Sequence, residues 1–385
     1  MPPYLAGRNS EVDVFKSMLQ QDIILDNMVL TGLRGVGKTV LLETLKPIAI
    51  QNGWAWIGTE LSESASLSEE NMAIRLLTDL SVMTSGIVVG KQAPHAIGFT
   101  DISGTQNITL NYHLLQDIFV RTPGLASDKI KRVLQVVSES IAPLRKKGII
   151  FAYDEAQNLS DRDQKGQYPL SMLLDVFQSI QRSNIPFMLV LSGLPTLFPK
   201  LVEARTFAER MFRVVFLDRL NDNDSRDAIL KPIAYDNCPI RLTDDSVQSI
   251  LSISKGYPYF IQFICREAFD AFIQNMDQKD TAAIPVTEIL RKLDSDFFAG
   301  RWARVTDRQR DLLTVIARLD NASTEFTVQE IVDLSKNMAK KPFSNSHVNQ
   351  MLLSLIHSGI IYKNRYGKYS FAVPLIDEFI LRQAV

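Results

Sequence analysis

The sequence predicts an α/β chain: a parallel sheet covered by helices, then a helical region, then three helices with a hairpin. Three observations carry that prediction. Short apolar runs alternate with amphipathic helical stretches from Asn27 to Asp218, the pattern of a sheet covered on both faces. Residues 219–300 read as wholly helical and acidic. After Thr306 come three helix signals, two strand signals around a turn, and a last helix. These changes of character set expected boundaries at 1–218, 219–300 and 301–385.

Asn27 to Thr31 reads as a buried strand running straight into a Gly-rich turn. Residues 38–50 follow as a helix, with Val40, Leu41, Leu45 and Ile48 on one stripe. Trp54 to Leu61 is the next strand signal and Leu67 to Met83 the next helix. Residues 84–111, with many Gly, Thr, Ser and Asn, read as an inserted loop or hairpin. A helix starting near Ser127 carries Ile130, Val133, Leu134, Val137, Ile141 and Leu144 at helical spacing. Ile149 to Tyr153 is an unbroken apolar run, as a strand buried on both faces requires. A helix opening at Pro169, a strand at Pro186–Leu191, a helix around Leu197–Glu209 and a strand near Phe212–Leu217 complete the sheet region.

Composition removes other classes. With 385 residues, 46% hydrophobic and 22% charged, the chain is neither disordered nor a disulfide-stapled miniprotein. Its 42 Lys plus Arg balance 43 Asp plus Glu, so a polybasic nucleic-acid coat is not expected, although a local basic face is compatible. Two Cys without CxxC spacing and four scattered His argue against a structural zinc site and for a reducing compartment. No basic-then-apolar leader opens the sequence, and no apolar run approaches the ~18 residues of a membrane span. The expectation is a cytoplasmic protein with no membrane partner.

Gly32-Leu33-Arg34-Gly35-Val36-Gly37-Lys38-Thr39 fits the pattern GxxxxGK[ST], between a strand and a helix. Glycines let backbone N–H groups turn toward phosphate oxygens, and the helix start adds its positive dipole end. The cradle is assigned to Gly32, Gly35, Val36, Gly37, Lys38, Thr39 and Val40. Lys38 would reach the β- and γ-phosphates, and the Thr39 hydroxyl would ligate Mg²⁺. The apolar run 149–153 ends in Asp154-Glu155. Asp154 is placed near the metal, and Glu155 near the γ-phosphate as the base for an attacking water. The plainer alternative for that acidic pair is a helix cap.

These two motifs, in this order, resemble the AAA+ ATPases and the related signal-transduction ATPases with numerous domains, particularly the initiator-like "archaeal ATPase" group. The resemblance covers essentially the whole chain. It implies a P-loop NTPase core, a helical lid over 219–300 and a winged-helix domain over 301–385. Gly7-Arg8, followed by Glu11, looks like the segment that lies along adenine in that family. Ser192 takes the place of its polar sensor residue, Pro258 belongs to its lid motif Gly-x-Pro, and Arg210 stands where it puts an arginine finger, with Arg205 in reserve. No Arg stands beside the lid motif at the usual sensor position. The resemblance implies ATP and Mg²⁺ as cofactors and self-association in the ATP state.

In the last region Thr327-Val328-Gln329-Glu330 is a capping box. Val348, Met351, Leu352, Leu355 and Ile356 stripe a helix, and 360–362 with 369–373 read as a hairpin. From Leu334 to Ile376 no acidic residue occurs, whereas Lys336, Lys340, Lys341, Lys363, Arg365 and Lys368 do. That bias suggests double-stranded DNA as partner, through Ser344, Asn345 and His347 at a helix start and Lys363, Arg365 and Lys368 in the wing. A docking surface for an acidic protein is the alternative. Tyr362, Tyr366 and Tyr369 are expected to pack on the hairpin itself rather than stack on bases.

The function read from the sequence is an ATP-hydrolysing switch controlling assembly and DNA or partner engagement, with a separate effector protein. The competing reading is a non-hydrolysing, nucleotide-stabilised adaptor.

Overall fold

The computed structural model describes residues 4–21, 23–24, 26–92, 106–234, 238, 240–274, 284–338 and 341–383. Its strands are β1 (Asn27–Thr31), β2 (Trp54–Ile57), β3 (Val88–Gln92), β4 (Gln106–Thr109), β5 (Gly148–Tyr153), β6 (Phe187–Gly193), β7 (Phe212–Phe216), β8 (Ile361–Arg365) and β9 (Lys368–Phe371). The chain divides into two compact units. One holds 9–31 and 38–216; the other holds 1–8, 32–37 and 217–385.

In the first of these units, five strands form a parallel sheet in the order β2-β5-β6-β1-β7. Every residue of β1, β5 and β6 is buried, which explains the apolar run through the centre of each. Beneath one face, Ile130, Val133, Leu134 and Val137 of the helix Ala126–Ile141 join Leu173, Leu174 and Phe177 of the helix Pro169–Arg182 in one core with Phe151 and Leu189. Phe151 meets Phe177 edge-on at 5.0 Å between centroids.

Two local readings are corrected here, the end of the second strand and the helix 197–209. The second strand stops at Ile57, because Gly58 turns to φ 130°; the chain rejoins the sheet edge only as a bridge from Glu60 to Asp154. The segment 84–111 contains the antiparallel hairpin β3–β4, while residues 93–105 lie outside the described residues. The expected helix 197–209 divides into Leu197–Ala204 and Ala208–Met211. Arg205 is extended between them (φ −147°), its guanidinium held bidentately by Asp175. A further helix, Tyr112–Arg121, is started by Asn111, whose side chain accepts from Leu114 N.

In the second unit, helices including Asp222–Ile233, Asp244–Ser254 and Pro258–Gln274 share a core with the C-terminal elements. Ile250, Phe260, Ile264, Phe298, Leu312, Leu355 and Phe379 belong to it. There the helices Asp307–Ala317, Val328–Met338 and Asn345–His357 are followed by the antiparallel hairpin β8–β9. The capping box forms: Glu330 Oε2 accepts from Thr327 N at 2.6 Å, and Thr327 Oγ1 accepts from Glu330 N at 3.2 Å.

Candidate functional site

Ligands of open α/β sheets bind beyond the carboxyl ends of the strands. At that edge the register sets three elements level. Tyr153 pairs with Leu191, so Asp154, one residue on, is level with Ser192, which in turn pairs with Leu30. Asp154 is 9% exposed and accepts three hydrogen bonds. Its Oδ2 accepts from Thr39 Oγ1 at 2.6 Å, and its Oδ1 from Ser192 Oγ at 2.7 Å and Glu155 N at 2.9 Å. Residues 39 and 154, remote in sequence, are thus brought together by the fold. The buried hydroxyl of Ser192 is turned to Asp154.

The pair Thr39 and Asp154 fits Mg²⁺, which takes hard oxygen donors: one or two carboxylates, with phosphate oxygens and water completing the shell. Among the described residues no group of three or more His, Cys, Asp or Glu side chains is placed to hold a metal alone.

Glu155 stands half-buried in the left-handed region, φ 51° and ψ 34°. For a residue with a Cβ that conformation costs about 1–2 kcal/mol. It is held by Asp154 below and by Gln157, whose Nε2 donates to Glu155 Oε2. Gln157 escaped sequence reading; its only local mark is a polar side chain two residues after the acidic pair. A second missed group is bound to Tyr153, the residue before Asp154. The Tyr153 hydroxyl donates to Asp79 Oδ2 at 3.0 Å, as does Arg75 Nε at 3.0 Å. Burial raises the Asp79 carboxyl above its ordinary value against the bonds from Arg75, and burial pushes the Tyr153 hydroxyl well up. The sequence signal was a charged i,i+4 pair within an apolar helix.

The loop Gly32–Gly37 belongs to the second unit. Gly35 and Gly37 have φ 79° and 92°, and a Cβ on Gly35 would stand 2.9 Å from Tyr259 Cβ. Tyr259 N donates to Gly35 O at 3.0 Å, and Pro258 Cγ lies 4.0 Å from the Cβ position of Gly37. The Gly-x-Pro element therefore lies on the loop. Arg8, 6% exposed, donates to Val36 O at 2.9 Å and to Asp218 O at 2.6 Å, gripping the loop backbone; Gly7 turns beside it with φ 61°. Val36 is buried, Lys38 is buried at the first position of the helix Lys38–Gln51, and Val40 is half-buried in its first turn.

The two arginine candidates separate cleanly. Arg205 is consumed by Asp175 and by Ser171 Oγ at 2.8 Å. The Arg210 side chain is exposed, makes no hydrogen bond or ion pair among the described residues, and lines a groove with Ile24, Gln178, Gln181 and Phe207. It precedes Phe212, which pairs with Asn27 at the amino end of β1. Arg210 is therefore at the edge opposite Asp154, separated by about 13 Å of strand at ~3.3 Å per residue.

In the C-terminal elements, Ser344 caps the helix Asn345–His357, accepting from His347 N at 3.3 Å. Asn345, Asn349, Lys363 and Tyr366 line one groove. Tyr366 is 96% exposed at the hairpin tip, contrary to the self-packing expected of it, whereas Tyr362 and Tyr369 are half-buried. The Lys363 ammonium lies 5.6 Å from the Tyr366 ring centre. The acid-free stretch of sequence is not acid-free in space. Arg365 is bound by Glu325 (Nη2 to Oε2 2.8 Å), and Lys336 by Asp333 (2.7 Å). Lys363 and Lys368 make no ion pair among the described residues, and Lys340 lies outside them.

Residues 295–380 match a family described as a domain of unknown function, DUF8462. No curated protein matches the sequence. Among solved structures, the chain is similar to a Walker-type ATPase of Pyrococcus abyssi, with 15% identity over 98% of this chain and 96% of that one, at a TM-score of 0.58. It is also similar to the ORC2 protein of Aeropyrum pernix. The ADP form matches with a TM-score of 0.56 and the ADPNP–ADP complexes with 0.55, each at 12% identity over 100% of this chain and 96% of that one. No helix among the described residues is long and apolar enough to cross a membrane. These likenesses show the fold: a P-loop, AAA+-like core built on a parallel sheet and continued by helical C-terminal elements.

Proposed function

We propose that this chain is an ATP- and Mg²⁺-binding, ATP-hydrolysing switch whose nucleotide state governs self-association and engagement of DNA. The observation that carries the reading is the bond between Thr39 and Asp154, two oxygen ligands of the kind a nucleotide-bound Mg²⁺ needs, at the head of a phosphate-binding loop. Bound there, the ion would neutralise charge on the β- and γ-phosphates. Lys38 supplies a point charge to the same oxygens, and the loop's backbone N–H groups orient them. Glu155 takes the proton of an attacking water.

The test is Glu155→Gln. Replacing the carboxylate removes the proton acceptor and leaves the metal ligand Asp154. ATP binding measured by calorimetry is expected to persist, while turnover falls at least about tenfold, general-base groups contributing ~10²–10⁴. Undiminished turnover would reduce Glu155 to a turn residue and favour the non-hydrolysing adaptor.

For DNA, the groove of Asn345, Asn349, Lys363 and Tyr366 supports a winged-helix mode, in which a helix start reads bases and the hairpin tip meets phosphates. Reversing Lys363, Arg365 and Lys368 together to Glu is expected to abolish duplex binding and spare DNA-free ATPase activity. Removing a single cation that neutralises a phosphate should flatten the salt dependence by about 0.9 in log–log slope. Wild-type protein without salt-dependent DNA affinity in either nucleotide state overturns this part of the proposal and leaves an acidic protein surface as the partner.

A further inference from the structure

Gln157 occupies the centre of a hydrogen-bond chain that no sequence motif announces. Its carboxamide is used at both ends: Nε2 donates to Glu155 Oε2, and Oε1 accepts from Leu194 N at 3.1 Å. Leu194 is used at its carbonyl too, which accepts from Thr31 Oγ1 at 3.0 Å. Thr31 is the last residue of β1, immediately before the phosphate loop. The backbone of Gln157 is fixed separately, because Lys200 Nζ donates to its carbonyl at 2.7 Å. Burial lowers the Lys200 ammonium from its ordinary value.

The end of β6 is shaped to receive this amide. A Cβ on Gly193 would stand 2.6 Å from Gln157 Oε1, closer than any side chain tolerates, so only glycine leaves the carboxamide its place. Neither of the two carboxylates is left to choose its own orientation: Ser192 and Thr39 fix Asp154, and Gln157 fixes Glu155.

From this geometry we infer that Gln157 is the positioning residue of Glu155, keying the carboxylate to the Leu194 peptide and through it to the root of the phosphate loop. The inference rests on the ATPase reading above and adds a residue to it. In this role Gln157 acts through Glu155, setting the direction in which that carboxylate points. The amide suits the task because it both donates and accepts, so one planar group joins a carboxylate to a peptide N–H. Glutamate at 157 would offer no donor to Glu155 and would set two carboxylates together.

The test begins without nucleotide. In Gln157→Ala the amide of Leu194 loses its acceptor, and hydrogen exchange of a peptide spanning residue 194 is expected to speed up, with the rest of the core unchanged. With Mg²⁺ and ATP, kcat is expected to fall on the order of tenfold or more, since a misplaced group costs up to about 10²-fold. KM and the affinity for a non-hydrolysable analogue should stay within about twofold. Added to Glu155→Gln, the same substitution should cost nothing further, because a residue that acts through another is not additive with it. Gly193→Ala, which displaces the amide without removing it, should reproduce the kcat loss.

Unchanged exchange at residue 194, wild-type kcat in Gln157→Ala, or an undiminished loss on top of Glu155→Gln would each overturn the inference while leaving the ATPase reading intact. A wild-type protein that binds no ATP would overturn that reading, and the inference with it.

Discussion

Lys38→Ala is expected to weaken ATP binding by one to two orders of magnitude or abolish it, in a protein that melts as a folded domain. Lys38 is buried in the first turn of the helix Lys38–Gln51, at the position from which the phosphate-loop pattern sends an ammonium to the β- and γ-phosphates. Hydrogen bonds to charged groups contribute roughly 1.5–3 kcal/mol each, and 1.4 kcal/mol is tenfold in affinity. A truncation to alanine keeps helix propensity, so the fold should survive. Calorimetric titration with ATP and Mg²⁺ reads the affinity, and circular dichroism with thermal melting reads the fold. Unaltered affinity in a folded variant would refute the phosphate-binding assignment of the loop.

The second large effect is expected at Arg210. Its side chain is exposed and unpaired among the described residues, and it stands at the amino edge of the sheet while Asp154 and Ser192 stand at the carboxyl edge. With β1 between them, Arg210 cannot serve the Asp154 of its own chain within this sheet. A second copy must bring it to a site if it acts as a finger at all. Arginine fingers are worth ~10³–10⁵ in turnover. Arg210→Ala should therefore lower turnover by at least tenfold at concentrations where ATP or an analogue raises the mass distribution, with nucleotide affinity preserved. Arg205→Ala should instead act on stability, through the loss of its pairing with Asp175. Sedimentation with and without the analogue, run beside turnover, separates the two. Equal turnover by Arg210→Ala and wild type in the assembled state would dismiss the finger.

What could be read from the sequence follows the locality of the signal. The runs that became β1, β5 and β6 were legible because strands buried on both faces are apolar through their centres, with polar residues confined to the ends. The phosphate loop was legible because all its chemistry lies within eight consecutive positions. The helix Tyr112–Arg121 was not, since its buried face is only Leu115 and Phe119. Gln157 was invisible for a different reason. Its importance comes from β6 lying beside β5, which brings Leu194 to a glutamine thirty-seven positions earlier, and no spacing rule encodes that meeting. The wing shows the same limit for charge: Glu325 enters from outside the acid-free stretch and neutralises Arg365.

The outermost strand β7 has one further implication, for how the purified protein will behave on storage. Among the described residues β7 pairs with β1 alone, and it carries Val214 40% exposed and Phe216 58% exposed. Open strand edges of this kind template intermolecular β-pairing, and natural proteins restrain them with short strands and charge. Here the restraint is a five-residue strand with Arg213 at its second position, held by Asp26 at 3.1 Å. Neutralising Arg213 would remove the electrostatic guard from the edge while leaving its greasy side chains in place, and concentrated samples should then form sheet-rich precipitate. Such precipitate must be told apart from nucleotide-driven assembly before any change in mass is credited to the switch.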